Sequence, residues 1–111
     1  MFQKHKPIRI QKIRDSARGQ ECTINSPWCN YNPETVVFAH YGEPGEKGTA
    51  LKPDDTSGAY SCSRCHDWLD GRAYQGNSHQ ERVEDEDRKE WYWFRGMRRT
   101  WRLLIENGVL K

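Results

Sequence analysis

Apolar positions are sparse along this chain, and their rhythm changes from one stretch to the next. Val36-Val37-Phe38-Ala39 is a short β-prone run with His40 at its end, and Ala59-Tyr60-Ser61 predicts a second short strand. Between them, residues 41–58 hold four glycines, two prolines and several charges, which predicts a long loop. A loop of that length in so small a domain serves function or mobility. A short helix is expected from His66 to about Ala73, weakened by Gly71 and followed by a turn at Gly76-Asn77. Ser78-His-Gln-Glu81 then has the form of a capping box, in which each terminal side chain bonds the other's free backbone N–H. Acids come early and arginines late over residues 79–107, as the helix dipole favours, and Asn107-Gly108 suits a stop. That segment predicts a long helix, bent or broken near Gly96. Phe94, Met97, Trp101 and Leu104 repeat at 3-4-3 spacing and predict its buried face.

Composition adds a stability problem. Leu, Ile, Val and Phe together number 17 of 111 residues, so aliphatic packing alone leaves the fold marginal. Five Trp, five Tyr and a net charge of only +2 argue against disorder, and four cysteines are available as staples. The length suits one domain, expected over residues 16–111 behind a basic arm at 1–15. No stretch is apolar enough to span a membrane, and the first residues do not form a secretory leader. A reducing, cytoplasmic setting is expected, where cysteine pairs hold metal more often than they form disulfides.

Charge is segregated behind the near-neutral total. Residues 1–18 carry six Lys or Arg, including Arg14 and Arg18, against the single acid Asp15. Residues 81–90 carry six acids and three bases, and Arg95, Arg98, Arg99 and Arg102 then follow without an acid among them. The basic start fits a solvated tail or a phosphate contact equally well. The helical arginines, with Trp91 among them, fit either a solvated face or a surface for phosphates.

Cys62-x-x-Cys65 has the spacing of a knuckle that presents two thiolates to one ion. Cys22 and Cys29 lie six residues apart, wider than usual, and Asn25, Ser26 and Pro27 signal a turn between them. Together the two pairs predict a structural Zn2+ site with four cysteine ligands. Such a site has no open position, so chemistry must reside elsewhere. His66 follows the knuckle and Asp70 lies one helical turn later, so the two share a face and could grip a second metal. Strand, loop, strand, knuckle and helix in that order bring His40 and His66 around one pocket. Either histidine could instead be merely hydrogen-bonded or packed.

His40 at a strand end, the loop, and then Tyr60-Ser-Cys-Ser-Arg-Cys-His66-Asp-Trp-Leu-Asp-Gly-Arg72 resemble the HNH, or ββα-metal, endonucleases. More closely, Ala17-Arg-Gly-Gln-Glu-Cys22, Asn32-Pro-Glu-Thr35, Ala39-His40, Cys62-Ser-x-Cys-His-Asp67, Asp70 and Gly96-Met-Arg-Arg-Thr100 resemble one family of small lambdoid phage and prophage proteins. These are regarded as zinc-containing nucleases. The resemblance runs from about residue 14 to the C-terminus. It implies that His40 is a general base acting on the attacking water and that His66 ligates a catalytic divalent ion, Mg2+ or Mn2+. Two positions depart from the pattern. Many of these enzymes place a metal ligand just before the catalytic histidine, where this chain has Ala39; Asp70 could supply that ligand. The middle Asn that normally orients the base is replaced by Asp54, Asp55, Thr56 and Ser57, among which Asp55 could orient His40 or bind metal.

The expectation is therefore an α+β fold: a small zinc-stapled ββα-metal domain with a C-terminal helical extension. The implied activity is phosphodiester hydrolysis in DNA inside a bacterial host cell, on branched or recombination intermediates by analogy, with Arg14, Arg18, Arg95, Arg98, Arg99 and Arg102 on phosphates. No membrane partner is expected, and the oligomeric state stays open. The rival expectation is a noncatalytic zinc module that binds DNA or a protein.

Overall fold

The computed structural model describes residues 6–42 and 53–110. The first five residues of the expected arm and residues 43–52 of the expected loop lie outside that range. Four elements are helices or strands at the predicted places. Strand β1 (Val37–His40) pairs antiparallel with β2 (Gly58–Ser61), setting His40 opposite Gly58 and Val37 opposite Ser61. Helix α2 (Ser63–Leu69) follows directly, and α3 (His79–Glu106) closes the chain. To these the structure adds α1 (Gln11–Ser16) and a 3-10 turn at Pro33–Thr35. The architecture is α+β, with a two-stranded sheet and three α-helices. No helix among the described residues is long and apolar enough to cross a membrane.

Local chemistry explains the boundaries. Ser78 Oγ accepts the Glu81 N–H at 3.1 Å while Glu81 accepts the N–H groups of Ser78 and Asn77, the reciprocal box expected from sequence. At the other end Gly108 takes φ +74°, a left-handed stop that Asn107-Gly108 foreshadows. Helix α2 starts at the knuckle, three residues earlier than expected. Cys62 is its N-cap, and its sulfur accepts the Cys65 N–H. Gly58 is required by close approach: a Cβ there would fall 2.6 Å from the Ala39 carbonyl oxygen and into the Phe38 ring.

The long helix corrects two expectations. It runs unbroken through Gly96, and only part of the large apolar stripe faces inward: Leu104 is buried and Met97 and Trp101 pack against the core, but Phe94 does not. Phe94 is 60% exposed, whereas the buried positions are Asp85, Lys89, Trp93, Gly96, Thr100 and Leu104. Small residues let the helix axis approach the sheet. A Cβ at Gly96 would sit 2.6 Å from Ile24 Cδ1 and 3.3 Å from Ala59 Cβ. One turn on, Thr100 Oγ1 accepts the Tyr60 N–H at 3.1 Å and shares a proton with Thr23 Oγ1 at 2.9 Å. The Tyr60 carbonyl accepts from the Thr23 N–H and hydroxyl. The free edge of β2 is thereby satisfied by two threonines instead of a third strand, as a buried edge requires.

Residues 8–15, expected within a basic arm, are held on this domain together with Ser16. Ile13 is fully buried, and Ser16 Oγ hydrogen-bonds Tyr60 Oη at 2.7 Å.

Replacing Thr100 with Val keeps its shape and strands the Tyr60 N–H without a partner. Thr100→Val is expected to lower unfolding stability by about 1–3 kcal/mol in urea titrations of the metal-loaded protein. An unchanged midpoint would show that the threonine bridge does not hold the edge of β2.

Candidate functional site

The two cysteine pairs converge. Asn25, with φ +49°, turns the irregular segment after Cys22 so that Cys29 returns beside it, and the α2 N-terminus presents Cys62 and Cys65 from the other side. All four cysteines are buried, with their sulfurs within 4.8 Å of one another. The Cys22–Cys65 and Cys29–Cys62 pairs stand 3.8 and 3.7 Å apart. A disulfide needs about 2.05 Å. Sulfurs about 2.3 Å from a tetrahedral zinc would stand about 3.8 Å apart, so the cage fits the ion. The thiols ionise unequally in this cluster. A hydrogen bond from Cys65 lowers Cys22 to about 5, the same contact together with burial pushes Cys65 upward, and burial raises Cys29 to about 11. A divalent cation would offset the repulsion that keeps all four from being thiolates together. Backbone and side-chain donors already face the sulfurs: Asn25 Nδ2 and the Tyr31 N–H point to Cys29, and Ser26 Oγ lies 3.1 Å from Cys65. The four cysteines could hold a metal such as zinc.

Two of the arginines expected on phosphates hold this loop. Arg95 donates to the carbonyls of Ile24 and Asn25 at 2.8 and 3.1 Å, with its guanidinium 4.7 Å from the Trp91 ring centre. Arg99 donates to the Asn25 side-chain oxygen at 3.1 Å. Arg102 pairs with Glu106, and Arg18 and Arg98 are exposed.

On the other side of the sheet the structure brings His40 and Asp55 together. Asp55 Oδ1 lies 2.8 Å from His40 Nε2, and the Asp55 side chain is wholly buried. Its second oxygen accepts the Ile10 N–H at 2.6 Å and Arg14 Nε at 3.0 Å, while Arg9 stands 3.5 Å from the first. Burial pushes the carboxyl up. The hydrogen bonds from His40 and Ile10 and the charges of Arg9 and Arg14 outweigh it, so Asp55 sits below the ordinary carboxylate value. Arg14 is thus an anchor of Asp55. An ionised carboxylate only accepts, so Nε2 of His40 carries hydrogen, and in the neutral imidazole the lone pair falls to Nδ1.

A cleft opens beside His40. Tyr41 and Gly42 wall it from the end of β1, and Leu69 and Asp70 from the end of α2. Glu86, Lys89, Glu90 and Trp93 wall it from α3. Asp70 Oδ2 meets His66 Nε2 at 3.1 Å, so the expected helical pair does form. Arg72 also reaches Asp70, at 3.3 Å. The cleft residues of α3 escaped the sequence reading because the acid block there was explained by the helix dipole. Their signal is the spacing of Glu86, Glu90 and Trp93, each one helical turn after the last. Lys89 is buried and bound to Gln75 Oε1 and Glu86 Oε1 at 2.6 and 2.9 Å.

Two outcomes follow from these geometries. Elemental analysis of the purified protein is expected to give one zinc per chain, falling below half an equivalent in Cys62→Ser. Asp55→Ala is expected to cost about 1–3 kcal/mol near neutral pH, because it strands buried donors. With its folded pKa lowered, Asp55 stabilises fully above the unfolded value of about 3.9, and that contribution drains away as pH falls toward the folded value. The gap between wild type and Asp55→Ala in urea should therefore close below about pH 4. A gap independent of pH would rule out the ionised carboxylate as its source.

Comparison with known proteins gives the family of this chain. The family model described as "Putative nuclease YbcO" matches residues 11–109. Proteins named "Putative nuclease YbcO" from Escherichia coli (strain K12) and "Putative nuclease ybcO" from Enterobacteria phage 82 are each 37% identical over 103 residues, covering 89% of this chain and 96% of theirs. A solved structure of a bacteriophage protein from Escherichia coli K-12 MG1655 superposes with a TM-score of 0.62 at 33% identity, covering 87% of this chain and all of that one. On the extent of the matched region and the identity of these phage and prophage relatives, the chain belongs to the YbcO family.

Proposed function

We propose that this protein is a metal-dependent DNA endonuclease of the ββα-metal type, and that His40 is its general base. The observation that carries the reading is the His40–Asp55 contact at 2.8 Å on the rim of a cleft that Asp70 also lines. Asp55 takes the part of the missing middle Asn. It fixes the imidazole's tautomer, so that Nδ1 can take the proton of the attacking water. The order β1, β2, α2 places His40 on the first strand and His66 on the helix, as that reading requires.

His66 and Asp70 would hold the catalytic divalent ion. Their ligand atoms lie 3.1 Å apart, which matches neighbouring ligands on an octahedral ion with bonds of about 2.1 Å. Such an ion would supply charge stabilisation at the phosphate and the leaving oxygen. Among the described residues only the four cysteines form a larger ligand group, so the pair relies on water and phosphate oxygens for the remaining positions. Arg18, Arg98, Arg99 and Arg102 are the exposed members of the set expected on the DNA backbone. Branched recombination intermediates are the substrate this reading takes by analogy with a role in phage recombination.

A noncatalytic zinc-containing binding module is the second reading. Ala39, buried at the position where a further ligand would stand, favours it.

Cleavage of supercoiled plasmid by zinc-loaded protein with added Mg2+ or Mn2+ separates the two. Wild type is expected to cut, and His40→Ala to cut at least about 100-fold more slowly while keeping its zinc. His66→Ala should demand far more divalent ion. Folded wild type that binds DNA but cuts neither plasmid nor branched substrates would select the binding module.

A further inference from the structure

The outer face of α3 is a built surface that neither the cage nor the cleft uses. Trp91 and Phe94 are 56% and 60% exposed in the middle of the helix, with Asp87 on one side and Arg98 on the other. At 100° per residue these four share a stripe about 120° around the helix from the side chains that wall the cleft. Neither Asp87 nor Arg98 forms an ion pair among the described residues. Asp87, Trp91, Phe94 and Arg98 follow one another at four, three and four residues, so they line one side of the helix.

The stripe is also its own complement when reversed. A second α3 laid antiparallel, with the two-fold axis passing midway between Tyr92 and Trp93, sets Trp91 against the partner's Phe94. The same register sets Asp87 against the partner's Arg98 and brings Glu84 beside the partner's Arg102. Two-fold symmetry repeats every contact, giving four aromatic rings in the centre flanked by two ion pairs. Aromatic and arginine side chains in a central cluster are what concentrate binding energy at interfaces. Residues that answer one another under reversal are the signature of an isologous contact. We infer that this protein forms an antiparallel homodimer through the outer face of α3, centred on Trp91 and Phe94.

Charge decides against nucleic acid as the occupant. A phosphate backbone laid along the stripe would meet the carboxylates of Glu84 and Asp87 as well as the arginines. In the dimer Arg98 answers the partner's Asp87 and Arg102 lies beside the partner's Glu84, which withdraws both from the phosphate-binding set.

Sedimentation equilibrium of the zinc-loaded full chain tests the inference. Wild type is expected at twice its 13.1 kDa mass at micromolar concentration. Asp87→Arg and Arg98→Asp should each weaken self-association by tenfold or more, since each puts like charges in contact. Mixed together, the two variants should recover a heterodimer, because one then carries two bases and the other two acids at the facing positions. Zinc content and circular dichroism confirm that both remain folded. A wild type that stays monomeric, a dimer indifferent to either reversal, or a mixture that does not pair would each overturn the inference. A monomeric wild type whose DNA affinity drops on Trp91→Ala would overturn it too, and would assign the stripe to nucleic acid.

Discussion

The fold depends on bringing four sulfurs to one point. Aliphatic side chains are too few to organise the segment from Cys22 to Cys29, which has no regular structure of its own. Drawing its two cysteines against the start of α2 places Ile24 beneath Gly96 and Thr23 against the edge of β2. Arg95 and Arg99 then hold the same loop from α3 by its oxygens. A metal in the cage would therefore order the loop, the open edge of the sheet and the docking of the long helix together. That is the usual coupling of metal binding to folding in small domains.

Local signals were legible and long-range ones were not. The capping box, the Asn107-Gly108 stop and the cysteine knuckle depend on residues close in sequence, and each stands where it was read. The inner face of α3 was misread because apolar periodicity is blind to close packing. Gly96 and Thr100 lie inside because they are small or can bridge, while Phe94 lies outside. The contacts of Arg95 and Arg99 were illegible for a related reason. Their partners are oxygens of a distant irregular loop, and no pattern of side chains along α3 announces them. In the candidate site, His40, His66 and Asp70 were picked out from their places at a strand end and after the knuckle, and Asp55 from the family resemblance. What no spacing could reveal is that the Asp55 carboxylate also answers Ile10, Arg9 and Arg14, more than 40 positions away.

One helix serves three surroundings. Its inner line meets the sheet and the cysteine loop, its acidic early turns wall the cleft, and its outer line carries exposed aromatics between opposite charges. The division follows from a length of 28 residues on a small domain, which cannot cover every side of so long a rod. Lys89 shows how the surfaces meet. Its stem is buried, its ammonium is bound to Gln75 and Glu86, and it still lines the cleft.

Asp55 belongs to two structures at once. Of its hydrogen bonds, one reaches the imidazole and the others reach the segment around Ile10 and Arg14. Peeling that segment away would leave a buried carboxylate short of donors, free to swing or take up a proton, and His40 would lose its fixed tautomer. The candidate base is thus conditional on a stretch of chain that contributes nothing else to the cleft. A fusion tag or trimmed start that disturbs residues 8–14 is a lesion of the candidate site in disguise.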